Sequence, residues 1–282
     1  MDRKHSSYTI VWMLGLLQGV VLIILGFSHA EEVLHIYGPG GPYPAINEAA
    51  SVFGKQNNVK MEVVAGPASK WLEKAKADAD LIYSGAEFMM TDFIRALDGR
   101  IDETTVSPLY LRPSAILVRP GNPKHIWEFT DLLKPGVKIL VVSGAGQTGM
   151  WEDAAGKQGD IQTVREFRNN IHAFAKNSAQ AKKLWIENKD IDAWFIWNIW
   201  QVSNPTLADL VLVGDDYVIY RACGIALTHQ GKRRAMARKF VEFLQSSKGA
   251  RIFAKWGWIT SENEPNPVKI RNDIRVVLPD KR

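Results

Sequence analysis

Two lobes of α/β structure, each a mixed, mostly parallel sheet flanked by helices, are what this 282-residue sequence predicts. Three observations carry the prediction. From 33 to 84 short apolar runs alternate with stretches of helical spacing, the pattern that lays strands parallel and places helices on the faces of a sheet. Glycine-rich turns leading a strand into a helix occur twice, at 38–41 and at 143–149. A long apolar strand at 108–120 leaves the first alternating region and another at 217–228 returns to it, so that 31–110 with 218–282 make one lobe and 111–217 the other.

The first lobe opens with a strand at 34–37, whose exit turn Gly38-Pro39-Gly40-Gly41 runs into a helix at 44–56. Such a turn leaves the first N–H groups of the helix unpaired at the positive end of its dipole, which favours an anion. Gly40 and Gly41 let a ligand approach without meeting a Cβ, whereas Pro39 and Pro42 have no N–H to give. A strand at 59–64, a helix at 69–77 and a strand at 80–83 follow. Right-handed crossovers place the exit loops 38–43, 66–69 and 84–87 at one edge of the sheet. Ser69 ends the second loop, and its hydroxyl either caps the helix or turns to a ligand.

In the second lobe a short helix at 127–133, capped at Thr130-Asp131, precedes a strand at 138–142 and the turn Ser143-Gly144-Ala145-Gly146-Gln147-Thr148-Gly149. A helix opens at Met150-Trp151, helical spacing covers 161–170, and Asn177-Ser178 caps an amphipathic helix at 178–188. Residues 192–200 lead to a turn at Ser203-Asn204-Pro205 and a strand at 210–213. Closing helices at 232–245 and 247–255 end in Trp256-Gly257-Trp258, and the tail from 265 is polar.

Composition bounds the function. With 46% hydrophobic and 23% charged residues the chain reads as globular, and its net charge of +5 is scattered among acidic residues without forming a stripe, which argues against a nucleic-acid partner. Arg3 and Lys4 begin a leader, an apolar run fills 9–27, and Ser28-His29-Ala30 offers small residues at the two positions a signal peptidase reads; cleavage after Ala30 and a periplasmic destination are expected, with a retained membrane anchor as the alternative. Cys223 is the single cysteine, so no intramolecular disulfide forms, and its apolar setting reads as a buried thiol in a strand. Gly144-x-Gly146-x-x-Gly149 matches a dinucleotide fingerprint, but the acid that would follow, Glu166, falls inside a helical run. The sequence contains no GKS or GKT, HExxH, CxxC or GxSxG, and no cofactor or metal is expected.

The order of motifs resembles that of the type II periplasmic solute-binding proteins, specifically the molybdate and sulfate-type oxyanion binders, over almost the whole chain after the leader. Gly66-Pro67-Ala68-Ser69 with the run from Ala79 to Glu87 is similar to the family's serine-bearing loop and the strand end that follows it. Gln147-Thr148-Gly149-Met150-Trp151 and Asn177-Ser178 are similar to two of its helix starts, and the run from Ala235 to Gly257 to its closing helices. The opening Tyr37 to Ile46, YGPGGPYPAI, is similar to that of the accessory colonization factor (AcfC) branch. The resemblance implies a monomer that captures a small oxyanion, sulfate or molybdate-like or an organic sulfonate or carboxylate, between its lobes for an ABC transporter's membrane permease. It implies the first-lobe turn at Gly40 and Gly41, a hydroxyl from Ser69, amides at Thr148 and Gly149 and an amide at Ser178. The family's tyrosine donor falls near Trp197, an indole that donates one N–H and cannot imitate a hydroxyl. Lys70 either adds a charge-assisted contact or is a solvated surface lysine. Trp194, Trp197 and Trp200 either box a quaternary ammonium or organic ring or fill the core of the second lobe. Beside transport, the same lobes could serve a sensor that signals to a chemoreceptor, or a colonization factor; an enzyme is not expected, since no nucleophile, base and orienter set is recognisable.

Overall fold

The computed structural model describes residues 32–261. The leader, its cleavage site and the tail from 265 lie outside the described residues.

The chain runs through β1 (Val33–Gly38), α1 (Tyr43–Asn57), β2 (Lys60–Ala65), α2 (Leu72–Asp78), β3 (Leu81–Ser84), α3 (Glu87–Ala96) and the long β4 (Ser107–Val118). It continues with β5 (Ile139–Val142), α4 (Met150–Ala155), α5 (Ile161–Asn170), β6 (Ile171–Ala175), α6 (Ser178–Glu187), β7 (Ala193–Trp197), α7 (Ile199–Ser203) and β8 (Asp209–Leu212). It closes with β9 (Tyr220–Leu227), α8 (His229–Arg233), α9 (Ala235–Gln245) and α10 (Ser247–Lys255).

Nine strands form a mixed sheet in the order β2-β1-β3-β9-β4-β7-β5-β6, with β8 also paired to β4. β1 is parallel to β2 and β3, and β5 is parallel to β6 and β7, while β4 and β9 run antiparallel to their neighbours. β4 is the seam. Its residues 107–113 pair with β9, and from Ser114 onward it lies between β7 and β8. Ser114 holds the exchange: its N–H donates to the Ile219 carbonyl at 2.8 Å, and its hydroxyl oxygen accepts from the Ile219 N–H at 2.9 Å.

Helices cover the sheet through periodic apolar faces. In α1 the buried Ala45, Ile46, Ala49, Ala50 and Phe53 follow helical spacing, and Phe53 meets Phe240 and Phe243 of α9 with ring centroids 5.2 and 5.6 Å apart. Burying a ring of this size contributes roughly 1.5–3 kcal/mol. Cys223 is fully buried on β9, where burial raises its thiol to about 12.

Three local readings are corrected. The helix expected at 69–77 begins at Leu72, so Ser69 does not cap it; Gly66 and Pro67 start a 3-10 turn at Ala68–Lys70, closed by the Trp71 indole N–H donating to the Gly66 carbonyl at 3.1 Å. The short helix at 127–133 is a 3-10 segment, Phe129–Leu133, stabilised by the Asp131 carboxylate accepting from the Trp127 and Glu128 N–H groups at 2.7 and 3.2 Å. The helix expected at 232–245 breaks at Arg234, which is extended and gives its guanidinium to fully buried Asp80 at 2.6 Å and to Glu32 at 3.2 Å.

Candidate binding cleft

Because β1, β2 and β3 run parallel, their exits fall at one edge, and those of β5 and β6 meet them from the other half of the sheet. A cleft of about 90 Å³ lies where these exits converge. From the first half it is lined by the turn Pro39-Gly40-Gly41-Pro42, by Gly66 and Pro67, and by Gly85 with Met89. From the second half come Ala145, Gly146 and Gln147 after β5, and Asn177, Ser178 and Ala179 at the start of α6. Arg112, Trp197 and Trp200 complete the wall.

Arg112 is the electrostatic centre of this cleft. It stands on β4 next to the seam, is 2% exposed, and donates through Nη2 to the Gly85 carbonyl. Its guanidinium carbon lies 4.5 Å from the Trp197 ring centroid and 4.9 Å from that of Trp258, a cation between two indole faces. Nε and Nη1 have no hydrogen-bond partner, and no carboxylate pairs with the group, among the described residues. Burial, the largest cause, pulls its pKa down to about 9, so it stays charged at neutral pH. A desolvated cation without a counter-ion is costly to maintain unless something anionic completes it.

The glycines around it are there for close approach. A Cβ built on Gly85 or on Gly146 would lie 3.3 Å from Arg112 Nη2, and one on Gly146 would also lie 3.3 Å from the Gly85 carbonyl oxygen. The two halves of the sheet therefore meet over the guanidinium. Other donors stand on the same wall. The indole Nε1 atoms of Trp197 and Trp200 are buried without a partner among the described residues, and α6 presents its first turn, with Asn177 capping through an acceptance from the Gln180 N–H at 2.9 Å. No Asp or Glu stands among the cleft residues. Among the described residues no group of three or more His, Cys, Asp or Glu side chains is placed to hold a metal ion.

Of the residues singled out by sequence, Gly40, Gly41, Ser178 and Trp197 lie on the cleft wall. Ser69 and Lys70 are exposed on the 3-10 turn and do not line it. Thr148 is also exposed, its N–H and hydroxyl both turned to the Ala145 carbonyl at 3.4 and 3.2 Å, and Gly149 caps α4 with φ +72°. Of the three clustered tryptophans, Trp194 is fully buried and away from the cleft, while Trp197 and Trp200 face it. Arg112 was not anticipated as a wall residue; Gly85, Gln147 and Asn177 belong to turns and a helix start that were, though none of the three was singled out as a ligand contact. For Arg112 one signal was available: it is the lone charge in its strand, and charged residues are seldom buried without a task.

A mixed α/β sheet in two halves, with strand exits converging on a donor-rich cleft, defines the type II solute-binding class. The family model for bacterial extracellular solute-binding proteins matches residues 34–259, and the chain belongs to that family. It is similar to the sulfate-binding protein of Salmonella typhimurium, 23% identical over 76% of this chain and 73% of that one. Among solved structures it is similar to L-phospholactate-bound Peb3, a protein of Campylobacter jejuni, with 35% identity, a TM-score of 0.76, and coverage of 80% of this chain and 99% of that one. The sulfate-binding protein SubI of Mycobacterium tuberculosis shares the fold, with a TM-score of 0.70 at 16% identity over 88% of this chain and 93% of its own. These relatives are binding proteins rather than enzymes.

Proposed function

We propose that this protein captures a small oxyanion in the cleft and delivers it to the membrane permease of an ABC transporter. The observation that carries the reading is Arg112: a buried guanidinium on the cleft wall with two nitrogens unmet and no acid beside it. Gly40, Gly41, Ser178 and Trp197 would contribute N–H groups around the anion, with the α6 dipole adding partial charge. The names of relatives agree in ligand chemistry, since sulfate and L-phospholactate are both oxyanions. The exchange of partners along β4 supports a division into lobes at 110/111 and 217/218, and closing these lobes around the anion is the step a permease would sense. A periplasmic monomer released after Ala30 is the form in which this would operate.

The test is a thermal-shift screen of sulfate, molybdate, sulfonates and carboxylates against protein lacking residues 1–30. A ligand bound by the folded state raises the unfolding midpoint. At least one of these anions is expected to do so for the native sequence and to lose the effect in Arg112→Met; the absence of any shift across the screen would sink the proposal.

A further inference from the structure

The cleft wall does not present donors alone. Beside the unmet nitrogens of Arg112, Trp197 and Trp200, it holds one unmet acceptor, the Gln147 side-chain oxygen. Gln147 is 4% exposed, and its amide NH2 is committed to the Ser178 hydroxyl oxygen at 3.1 Å. The amide is thus anchored at one end, and its carbonyl oxygen is left needing a hydrogen. Nothing among the described residues supplies one.

Resting on the anion-capture reading above, we infer that the occupant is a small hydroxylated organic acid, its acidic group against Arg112 and its hydroxyl hydrogen donated to Gln147. A bare tetrahedral dianion offers only acceptors. It would satisfy Arg112 and the indoles but would either leave the Gln147 oxygen dry and unpaired or set a negative oxygen against it. A ligand with both an anionic group and an O–H matches the full inventory of donors and acceptor. The size of the cleft agrees. At about 90 Å³ the cleft has room for several non-hydrogen atoms and admits a short organic acid. The remaining wall, Pro39, Pro67, Met89 and the Trp197 ring, is apolar and suits a short carbon frame between the two polar ends.

The alternative arrangement of the amide, with the Ser178 hydroxyl donating to the oxygen and the NH2 turned into the cleft, would favour a ligand acceptor at this point instead. Three carboxylates of nearly equal size separate the two by the group on the second carbon: lactate carries a hydroxyl that can donate its hydrogen, pyruvate a carbonyl that can only accept, and propionate neither. The experiment is calorimetric titration of the mature protein with these three, with 2-hydroxyethanesulfonate against ethanesulfonate, and with sulfate. The hydroxylated member of each set is expected to bind about tenfold more tightly than its analogues and than sulfate, the worth of one well-made hydrogen bond. Gln147→Met, which keeps the volume and removes the acceptor, is expected to erase that advantage, so that lactate binds no more tightly than propionate, and a cooperative thermal unfolding transition shows that the variant is folded. Ser178→Ala, which only frees the amide to turn, should erase part of it. Pyruvate equal to or tighter than lactate, sulfate tighter than every organic acid, or a hydroxyl preference that survives in Gln147→Met each overturns the inference while leaving anion capture standing. Failure of every anion, sulfate included, to bind overturns the anion-capture reading itself.

Discussion

The two glycine-rich turns, 38–42 and 143–149, look alike in sequence and behave differently in space. In the first, β1 passes through Pro39, Gly40 and Gly41 directly into α1, which has proline in its opening turn and no side-chain cap. All four residues from Pro39 to Pro42 line the cleft. In the second, a 3-10 turn with Ala145 at φ +52° intervenes before α4 begins behind Gly149 at φ +72°. That extra turn brings Ala145 to Gln147 to the cleft and spends the Thr148 N–H on the Ala145 carbonyl. The difference teaches that glycine content announces that a backbone can bend sharply, while the direction of its N–H groups depends on how many residues the bend takes. The second half compensates with the start of α6, whose Asn177 cap leaves the first turn of the helix facing inward.

Arg112 sits where the two turns meet, and removing it should produce the largest effect. In Arg112→Met anion affinity is expected to fall at least about 100-fold by calorimetry, because an anion bound at a buried cation loses several kcal/mol when the cation goes. The unliganded variant should hold or raise its melting midpoint, since an apolar side chain replaces a desolvated charge that lacks a counter-ion. A midpoint that falls with an affinity unchanged would assign Arg112 to the scaffold.

Within the first turn, two glycines with one residue between them are expected to separate cleanly. A Cβ on Gly38 would lie 2.5 Å from the ring of fully buried Tyr83, so Gly38→Ala should destabilise by about 1–3 kcal/mol in urea unfolding. At Gly40 a Cβ meets nothing within 4 Å, and Gly40→Ala should stay within about 0.5 kcal/mol. Equal costs at both positions would mean that the turn is governed by backbone freedom rather than by contact.

A titration sharpens the role of the charge. Burial pulls the Arg112 guanidinium down to about 9, and a bound anion favours the charged form. Affinity should therefore be flat below about pH 8 and fall by about tenfold for each unit above 9, because binding then requires a proton to be taken up. A flat profile to about pH 10.5 would show that the buried guanidinium keeps its proton over this range, and would overturn its lowered pKa without moving it from the ligand. In the second turn Gly149→Ala should cost about 1–2 kcal/mol through its left-handed φ, with little change in affinity. The smallest effect is expected at Ser69→Ala, less than twofold on binding, because this exposed hydroxyl lies off the cleft wall.

The alternation of strand and helix from 33 to 84 and the apolar runs at 108–120 and 217–228 were legible because periodicity is a property of neighbours along the chain. Once the order of parallel strands was known, the handedness of crossovers alone placed the exit loops at a common edge, and Gly40, Gly41, Gly66 and Gly85 are found there. Local bonding already explains the Asn177 cap, which reaches only three residues along the chain to the Gln180 N–H and is written in the sequence. The start of α2 was not legible, because it depends on an indole folding back five residues to Gly66. Nor was the break at Arg234, which answers to an acid more than 150 residues away in the chain.

The sequence by itself thus determined the fold class and the convergence of the turns, which follow from spacing and handedness, and backbone chemistry supplied the reason to propose an anion. The tertiary structure decided which groups line the cleft. Arg112 is a single charge in its strand until Trp197 and Trp258 close over it, and Gln147 is a turn residue until Ser178 takes one end of its amide. Desolvation is what gives those two side chains their significance, and desolvation is imposed by residues distant in sequence that only folding brings together.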